Sequence, residues 1–165
     1  MKPEKQPVPF TILLADDDSD DCSFFEEALA KFPIPTQLTF VHDGEQLMKL
    51  LTKENTQLPD VLFLDLNMPR KNGFECLSEI RLNRKLDHLI VIMYSTSLEP
   101  EVVNQLYKNG AQYFIRKPSE FSEFKRIIQQ AITRLTQNLT NEKQGSFPQP
   151  DRENFVLTVQ NDLIS

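Results

Sequence analysis

The sequence predicts a doubly wound α/β fold with a central parallel sheet. Short apolar runs alternate five times with longer segments in which apolar residues recur at three- and four-residue steps, which indicates five strand–helix units. The runs ILLA, VLFL and LIVIMY are apolar at every position, as strands are when helices cover both faces of their sheet. With 165 residues, the chain is long enough for one such domain and its tails.

The five units follow one another along the chain, and local signals mark several helix ends. Gly44 and Gly73 open helices after turns, and Pro100 lies in a first turn. Gly110 follows a helix, where a left-handed cap is expected. The predicted units are 10–15 with a helix to about 31, 37–41 with a helix to about 53, 61–65 with a helix to about 83, 89–94 with a helix near 100–109, and 113–116 with a helix near 120–137.

The last helix presents an apolar stripe to the core. Ile127 falls at the edge of this stripe, and we favour a wide core stripe over a place for Ile127 in a partner-binding face. The stripe consists of Phe121, Phe124, Ile128, Ala131, Ile132 and Leu135.

The chain turns polar from Thr136 onward, which predicts a flexible linker. Phe155, Leu157 and Val159 alternate like a short strand, but we favour a loosely ordered tail over docking against the domain or a neighbour. The predicted organisation is therefore an N-terminal tail at 1–9, one domain at 10–137, and a polar linker and tail at 138–165.

The composition favours a protein partner over nucleic acid. Hydrophobic residues make up 39% and charged residues 25%, which is ordinary globular usage, and the net charge is −6. An acidic chain suits a phosphate backbone poorly, because nucleic-acid affinity depends on Lys and Arg replacing counterions. No apolar run approaches the ~18 residues that span a bilayer, and the start lacks a secretion signal, so we expect a cytoplasmic protein with no membrane partner. Cys22 and Cys76 are expected to be buried, reduced and without chemistry.

Polar residues stand at the carboxyl ends of four predicted strands, which is where open α/β sheets bind ligands. If the first, third, fourth and fifth strands are neighbours, these residues converge on one cleft. They are Asp16, Asp17 and Asp18, then Asp65 and Asn67, then Ser95, Thr96 and Ser97, and finally Lys117 and Pro118.

Such a cleft suits phosphoryl transfer. Crowded carboxylates repel one another at neutral pH and require a cation, and oxygen donors without His or Cys favour Mg²⁺. Lys117 can contact a phosphate as a point charge, and Ser95 can donate a hydroxyl hydrogen bond. Asp65 ends the most apolar strand and is the candidate nucleophile toward phosphorus, forming an acyl phosphate.

Each residue also has a structural interpretation. Asp18 or Ser19 is expected to cap the first helix, but a cap accounts for one acid and not three. Asp65 alone could be a turn residue, and Lys117 alone a solvated charge. Their joint placement at strand ends favours the functional interpretation.

At these residues the sequence resembles the response-regulator receiver domain of two-component signalling. The matching segments are ILLADDD, VHDG, PDVLFLDLNMPRKNG, IVIMYSTS and GAQYFIRKPSEF, in family order, over roughly residues 11–137. The NMPRKNGFECLSEIR segment and the STS ending are similar to those of the small single-domain regulators that partner bacteriophytochromes and related kinases.

The resemblance implies a flavodoxin-like sheet of order 2-1-3-4-5 and a defined metal site. Asp65 would be phosphorylated from a phosphohistidine donor. Asp17, Asp65 and the backbone carbonyl of Asn67 would bind Mg²⁺ directly, and Asp16 mostly through water.

The resemblance also implies a switch. Ser95 takes the place of the switch hydroxyl, and Lys117 that of the family lysine, followed by a cis peptide before Pro118. Phe114 stands at the switch aromatic, where the common Tyr hydroxyl is missing. Asp18 departs from the family pattern by adding a charge at the rim.

The implied function is that of a stand-alone response regulator. Phosphorylation of Asp65 would draw Ser95 toward the phosphoryl group, let Phe114 turn inward and alter the face made by helix 4, strand 5 and helix 5. The implied partner is a histidine kinase or histidine phosphotransfer protein, and a homodimer stays open. The chain would be a signalling protein that catalyses its own phosphoryl transfer and slow dephosphorylation, not an enzyme.

Three alternatives compete with this interpretation. A hydrolase with an aspartyl-phosphate intermediate usually carries its nucleophile on the first strand beneath a cap, and no cap insertion is visible. The residues that match ligand positions of a calcium loop are Asp16, Asp18, Asp20 and Glu27. The sixth position of that loop is Asp21 rather than Gly, and the run follows a strand instead of a helix. A degenerate receiver that only binds a partner stays open.

Overall fold

The computed structural model describes residues 8–141 and 149–158, which contain six strands and five α-helices. The strands are β1 (Phe10–Ala15), β2 (Thr36–Val41), β3 (Val61–Asp65), β4 (Val91–Ser95), β5 (Tyr113–Arg116) and β6 (Val156–Leu157). The helices are α1 (Ser19–Ala30), α2 (Gly44–Thr52), α3 (Gly73–Leu82), α4 (Pro100–Lys108) and α5 (Phe121–Asn141). Among the helices described, none is long and apolar enough to cross a membrane.

The strands form one parallel sheet in the order β2-β1-β3-β4-β5-β6. The predicted order 2-1-3-4-5 is therefore confirmed, and β6 is added at the edge next to β5. Every residue of β3 and of β4 is buried, because helices cover both faces of the sheet. On one face α1 and α5 pack over the strands, and on the other α2, α3 and α4 do so.

The core contains the residues that the apolar pattern placed there. Ile127 is 1% exposed and belongs to the cluster beneath α1 and α5, so the core interpretation is confirmed. Cys22 and Cys76 are buried and free, as predicted. The helix that carries Ile127 continues to Asn141, four residues past its predicted end at 137.

Tight local contacts fix the loops at the carboxyl edge of the sheet. Asp18 caps α1, its carboxylate accepting the Asp20 N–H at 2.8 Å, as the sequence indicated. Gly73 opens α3 and donates its N–H to the Leu66 carbonyl at 2.9 Å. A Cβ atom on Gly73 would lie 2.3 Å from the Asp65 carbonyl oxygen, so glycine allows α3 to start directly against the end of β3.

Two backbone predictions have opposite outcomes. Gly110 has φ +93° after α4, which confirms the left-handed cap. The expected cis peptide before Pro118 is wrong, since no cis peptide bond occurs within residues 8–141 and 149–158. The bond is in the trans form, which a peptide bond before proline adopts by default.

The prediction of a loosely ordered tail is wrong for residues 149–158, because this segment docks against the domain. Phe155 is fully buried, and its carbonyl accepts the Phe114 N–H at 3.0 Å. The Tyr107 hydroxyl donates to the Pro150 carbonyl at 2.7 Å, and the Tyr107 ring lies 5.1 Å from that of Phe155. The apolar burial and these hydrogen bonds offset the entropy of ordering the segment.

The docked segment does not follow the simple alternation that the sequence showed. Phe155 has a helical backbone conformation, with φ −69° and ψ −42°, and packs on the α2–α3–α4 face of the sheet. Leu157, two residues later, packs on the α1–α5 face. The helical residue before β6 thus places the two apolar side chains on opposite faces of the sheet. Val159, the third residue of the predicted alternation, lies outside the described residues.

Replacing Phe155 with Ala should release this segment from β5. Truncation of a buried Phe costs about 3–5 kcal/mol, which a ten-residue segment with a two-residue strand has little means to offset. The Phe114 amide should then exchange its hydrogen faster, because its acceptor is the Phe155 carbonyl. Residue-resolved hydrogen exchange measures this effect.

A matched control is Glu153→Ala, which truncates an exposed side chain two residues before Phe155 in the same segment. This variant should leave Phe114 exchange close to that of the unmodified protein. Unchanged Phe114 exchange in Phe155→Ala would contradict the docking.

Candidate functional site

The parallel sheet brings the predicted site residues to one edge. Asp16 follows β1, Asp65 and Ser95 end β3 and β4, and Lys117 follows β5. These four strands are consecutive neighbours in the sheet, and the Lys117 N–H donates to the Ser95 carbonyl at 2.8 Å. The four strand ends therefore surround one cleft, as the sequence predicted.

Lys117 is the cation at the centre of the cleft. Its side chain is 9% exposed, and its ammonium lies 2.8 Å from Asp21 Oδ2, 3.3 Å from Asp65 Oδ2 and 3.4 Å from Asp16 Oδ2. Burial alone would lower the pKa of Lys117, but the hydrogen bond to Asp21 and the charges of Asp65 and Asp16 raise it overall. Lys117 is therefore a buried, charged group, and its interpretation as a solvated surface charge is wrong.

The carboxylates of Asp16, Asp17 and Asp65 form a cluster in which one oxygen atom from each residue lies within 4.8 Å of the other two. Asp16 is fully buried, Asp65 is 4% exposed, and Asp17 is exposed at the rim. Burial raises the pKa of Asp16, although Tyr94 and Lys117 oppose this shift. Burial also raises the pKa of Asp65, against the charge of Lys117.

Backbone N–H groups fix the two buried acids. Asp16 Oδ1 accepts the Asp18 N–H at 2.9 Å, and Asp65 Oδ1 accepts the Asn67 N–H at 3.1 Å. In both cases the donor lies two residues further along the chain, in the turn that follows the strand. The turns therefore hold each carboxylate toward the cleft.

The cluster fits a hard divalent cation such as Mg²⁺. Its three candidate ligands are carboxylates, and no thiol or imidazole belongs to the group. Two of the acids are buried with raised pKa values, so added positive charge would stabilise their ionised forms. Asp17 at the rim leaves the cluster accessible from solvent. The calcium-loop alternative is not supported, because Asp18 caps α1 and the cluster includes Asp65 rather than Asp20.

Ser95 lies beside the acidic cluster and is 1% exposed. Its Oγ accepts the Ser97 N–H at 3.2 Å, and the Asn67 side-chain nitrogen lies 3.5 Å away, at the limit of a hydrogen bond. Both contacts use the Ser95 oxygen as acceptor. The hydroxyl proton is engaged by neither of them and can be donated.

Phe114, the predicted switch aromatic, is fully buried on the α2–α3–α4 face. It pairs with Val156 of β6, and Phe155 is buried in the same cluster. The ring is already inside the core in this conformer. The sequence led us to expect that the Phe114 ring turns inward on phosphorylation, but in this structure the ring is already buried.

Two residues of the site were missed by the sequence interpretation. Asp21 appeared there only as a mismatch to the calcium loop, yet it makes the shortest contact with Lys117. Burial and the neighbouring Asp16 raise the pKa of Asp21 to about 6.

Tyr94 was counted within an apolar strand, yet its hydroxyl donates to Asp16 Oδ2. The signal for Tyr94 was its polar hydroxyl at a strand end, since a buried phenol usually finds a partner.

Solved structures resemble the chain in fold. The phosphorylated cyanobacterial phytochrome response regulator RcpA superposes with a TM-score of 0.71 at 30% identity, over 75% of this chain and 91% of that one. The Mn²⁺-bound form of response regulator Rcp1 gives a TM-score of 0.71 at 27% identity, over 86% of this chain and 99% of that one.

Sequence comparison agrees with these structures. The chain is 30% identical to the response regulator Rcp1 of Synechocystis sp. over 133 residues, which cover 78% of this chain and 90% of that protein. The model of the response regulator receiver domain matches residues 12–129, a span that includes the β1, β3, β4 and β5 strand ends described above. The chain therefore belongs to the response regulator receiver domain family.

Proposed function

We propose that this receiver domain is a phosphorylated signal carrier in which Asp65 accepts a phosphoryl group from a histidine kinase or a histidine phosphotransfer protein. The observation that carries the proposal is the position of Asp65, buried at the end of a central strand with the Lys117 ammonium 3.3 Å away. Receiver domains are signalling proteins that interact with such kinases and phosphotransfer proteins. The similarity to RcpA, a phytochrome response regulator, favours a kinase of the phytochrome type as the donor.

Mg²⁺ is the cofactor of receiver domains, and the carboxylate cluster is the acidic pocket of this one. We assign Asp17, Asp65 and the Asn67 backbone carbonyl as direct ligands, with Asp16 acting mostly through water. Both Asp16 oxygens already accept hydrogen bonds, from the Asp18 N–H and the Tyr94 hydroxyl, whereas Asp17 at the rim is open to solvent, which supports this division. When bound, the ion supplies positive charge that reduces repulsion between Asp65 and the incoming phosphoryl group.

In the proposed transfer, an Asp65 oxygen forms a bond to phosphorus while the bond from phosphorus to the donor imidazole nitrogen breaks. The leaving nitrogen retains the electron pair, and Asp65 becomes an acyl phosphate. Lys117 pairs with phosphoryl oxygens, exchanging its 2.8 Å contact with Asp21 for them. The Ser95 hydroxyl donates a hydrogen bond to another phosphoryl oxygen. The chain catalyses this transfer and the slow hydrolysis of its own acyl phosphate.

The proposed output is a change at the face formed by α4, β5 and α5. Ser95 moves toward the phosphoryl group. Phe114 lies on β5, between β4 and β6, and repacks beneath α4. Residues 149–158 occupy the edge of β5, so a partner at this face displaces the segment or binds with it in place. The proposed receiver domain comprises residues 10–137, after an N-terminal tail at 1–9 and before a C-terminal extension at 138–165. The extension begins with the last turn of α5 and contributes β6 to the sheet.

Asp65→Asn should abolish phosphorylation. The amide has nearly the same shape as the carboxylate but lacks the negatively charged oxygen that attacks phosphorus. Intact-mass measurement after incubation with acetyl phosphate and Mg²⁺ tests this, the unmodified chain gaining one phosphoryl group. Asp60→Asn is the matched control, since Asp60 is exposed beside the opposite end of the same strand and bonds to Thr11. That control should be labelled like the unmodified chain.

Two results would decide against the proposal. Full labelling of Asp65→Asn would show that another residue is the acceptor. Absence of labelling in the unmodified chain, with both a small donor and a phosphorylated histidine donor, would favour a degenerate receiver that acts by binding alone.

Ser95→Ala should separate phosphorylation from the switch. The variant should still be labelled on Asp65, but hydrogen exchange in α4 and at Phe114 should respond less to phosphorylation than in the unmodified chain. Ser97→Ala, which removes an exposed neighbouring hydroxyl, is the control and should retain the response. An undiminished response in Ser95→Ala would remove Ser95 from the proposed switch.

A further inference from the structure

Tyr94 lies between the switch residue and the acidic cluster without belonging to either. It directly precedes Ser95 on β4 and is fully buried on the sheet face that α1 and α5 cover. Its ring lies 6.0 Å from that of Phe25 on α1 in an edge-to-face arrangement. Packing of this kind fixes the direction of the phenol.

The phenol contacts two groups of the site at once. Its hydroxyl donates to Asp16 Oδ2, while the Lys117 ammonium lies 4.3 Å from the centre of its ring. The first contact is a hydrogen bond to a carboxyl oxygen, and the second is a cation–π interaction. The Tyr94 side chain therefore orients both the Asp16 carboxyl group and the Lys117 ammonium.

These contacts determine how the oxygens of Asp16 are used. Oδ1 accepts the Asp18 N–H at 2.9 Å, and Oδ2 accepts the Tyr94 hydroxyl with the Lys117 ammonium 3.4 Å away. Without the Tyr94 hydroxyl, Lys117 would be the main remaining partner of Oδ2. A closer pair of Lys117 with Asp16 would move the ammonium away from Asp65, which is 3.3 Å from it.

We propose that Tyr94 is a positioning residue of this site, holding Asp16 for the divalent cation and keeping Lys117 available to Asp65. The inference rests on the proposed function, since it assumes that the cation binds beside Asp16. Removing outer-shell partners of a metal site typically changes metal affinity by ~10–100-fold, and Asp16, which contacts the ion mostly through water, is such a partner held in place by Tyr94. Tyr94 acts through Asp16 and Lys117 and does not itself touch the phosphoryl group.

Tyr94→Phe tests the proposal, because it removes the hydroxyl and keeps the ring that packs on Phe25 and faces Lys117. Mn²⁺ serves as the probe, and the electron paramagnetic resonance signal of the free ion measures how much is bound. We expect the Mn²⁺ dissociation constant to rise ~10-fold or more. Tyr107→Phe is the matched control, since it removes a phenol hydroxyl bonded to Pro150, and its affinity should equal that of the unmodified chain.

The outcomes separate this inference from the proposed function. Failure of the unmodified chain to bind Mn²⁺ would overturn the metal site itself. Tight Mn²⁺ binding by the unmodified chain, with Tyr94→Phe within about twofold of it, would overturn only the role of Tyr94. A purely structural role predicts a lower unfolding temperature with unchanged Mn²⁺ affinity, and that result would also count against the proposal.

A second measurement does not depend on the folding of Tyr94→Phe. The chain contains three tyrosines and no tryptophan, so a variant with Tyr107 and Tyr113 both changed to Phe reports Tyr94 alone by its emission. We expect Mg²⁺ to change this emission, because the ion alters the charge on the carboxylate that accepts the Tyr94 hydroxyl. Emission that stays constant while Mn²⁺ binding is retained would contradict the proposal.

Discussion

The burial of charge at the carboxyl edge of the sheet is the constraint on which the rest of the site depends. Asp16 and Asp65 are almost wholly buried, and the Lys117 ammonium lies within 3.4 Å of an oxygen on each. One ammonium does not balance these acids together with Asp21, so the cleft has a negative excess that favours a divalent cation. The same excess disfavours the approach of a phosphate group, and the combined charge of Lys117 and Mg²⁺ compensates for it.

The strand ends could be predicted from the sequence because they interrupt strongly apolar runs. Asp16, Asp65 and Ser95 stand at the ends of strands in which every residue is buried apart from Thr11 of β1. A parallel sheet places such ends side by side. Lys117 follows β5, which has only four residues, but the sequence still placed Lys117 at the end of the fifth predicted strand. The order of the strands then sufficed to bring these residues into one cleft.

The remaining features depend on partners that are distant in sequence. Tyr94 has the apolar neighbours of a core residue, and only the fold reveals that its hydroxyl meets Asp16, 78 residues away. Asp21 lies on a helix face whose direction relative to Lys117 is set by packing. The docking of Phe155 could not be predicted from the polar residues that precede it. Phe155 is buried against α4 and β5, and that surface forms only when the domain folds.

The central claim is that Asp65 carries the phosphoryl group as an acyl phosphate. Borohydride reduces an aspartyl acyl phosphate to homoserine, so reduction of the phosphorylated chain followed by peptide mass spectrometry identifies the modified position directly. The account predicts homoserine at position 65, formed only when the phosphodonor and Mg²⁺ are both present. Homoserine at Asp16, Asp17 or Asp21 instead, or a phosphorylated chain that borohydride leaves unchanged, would contradict it.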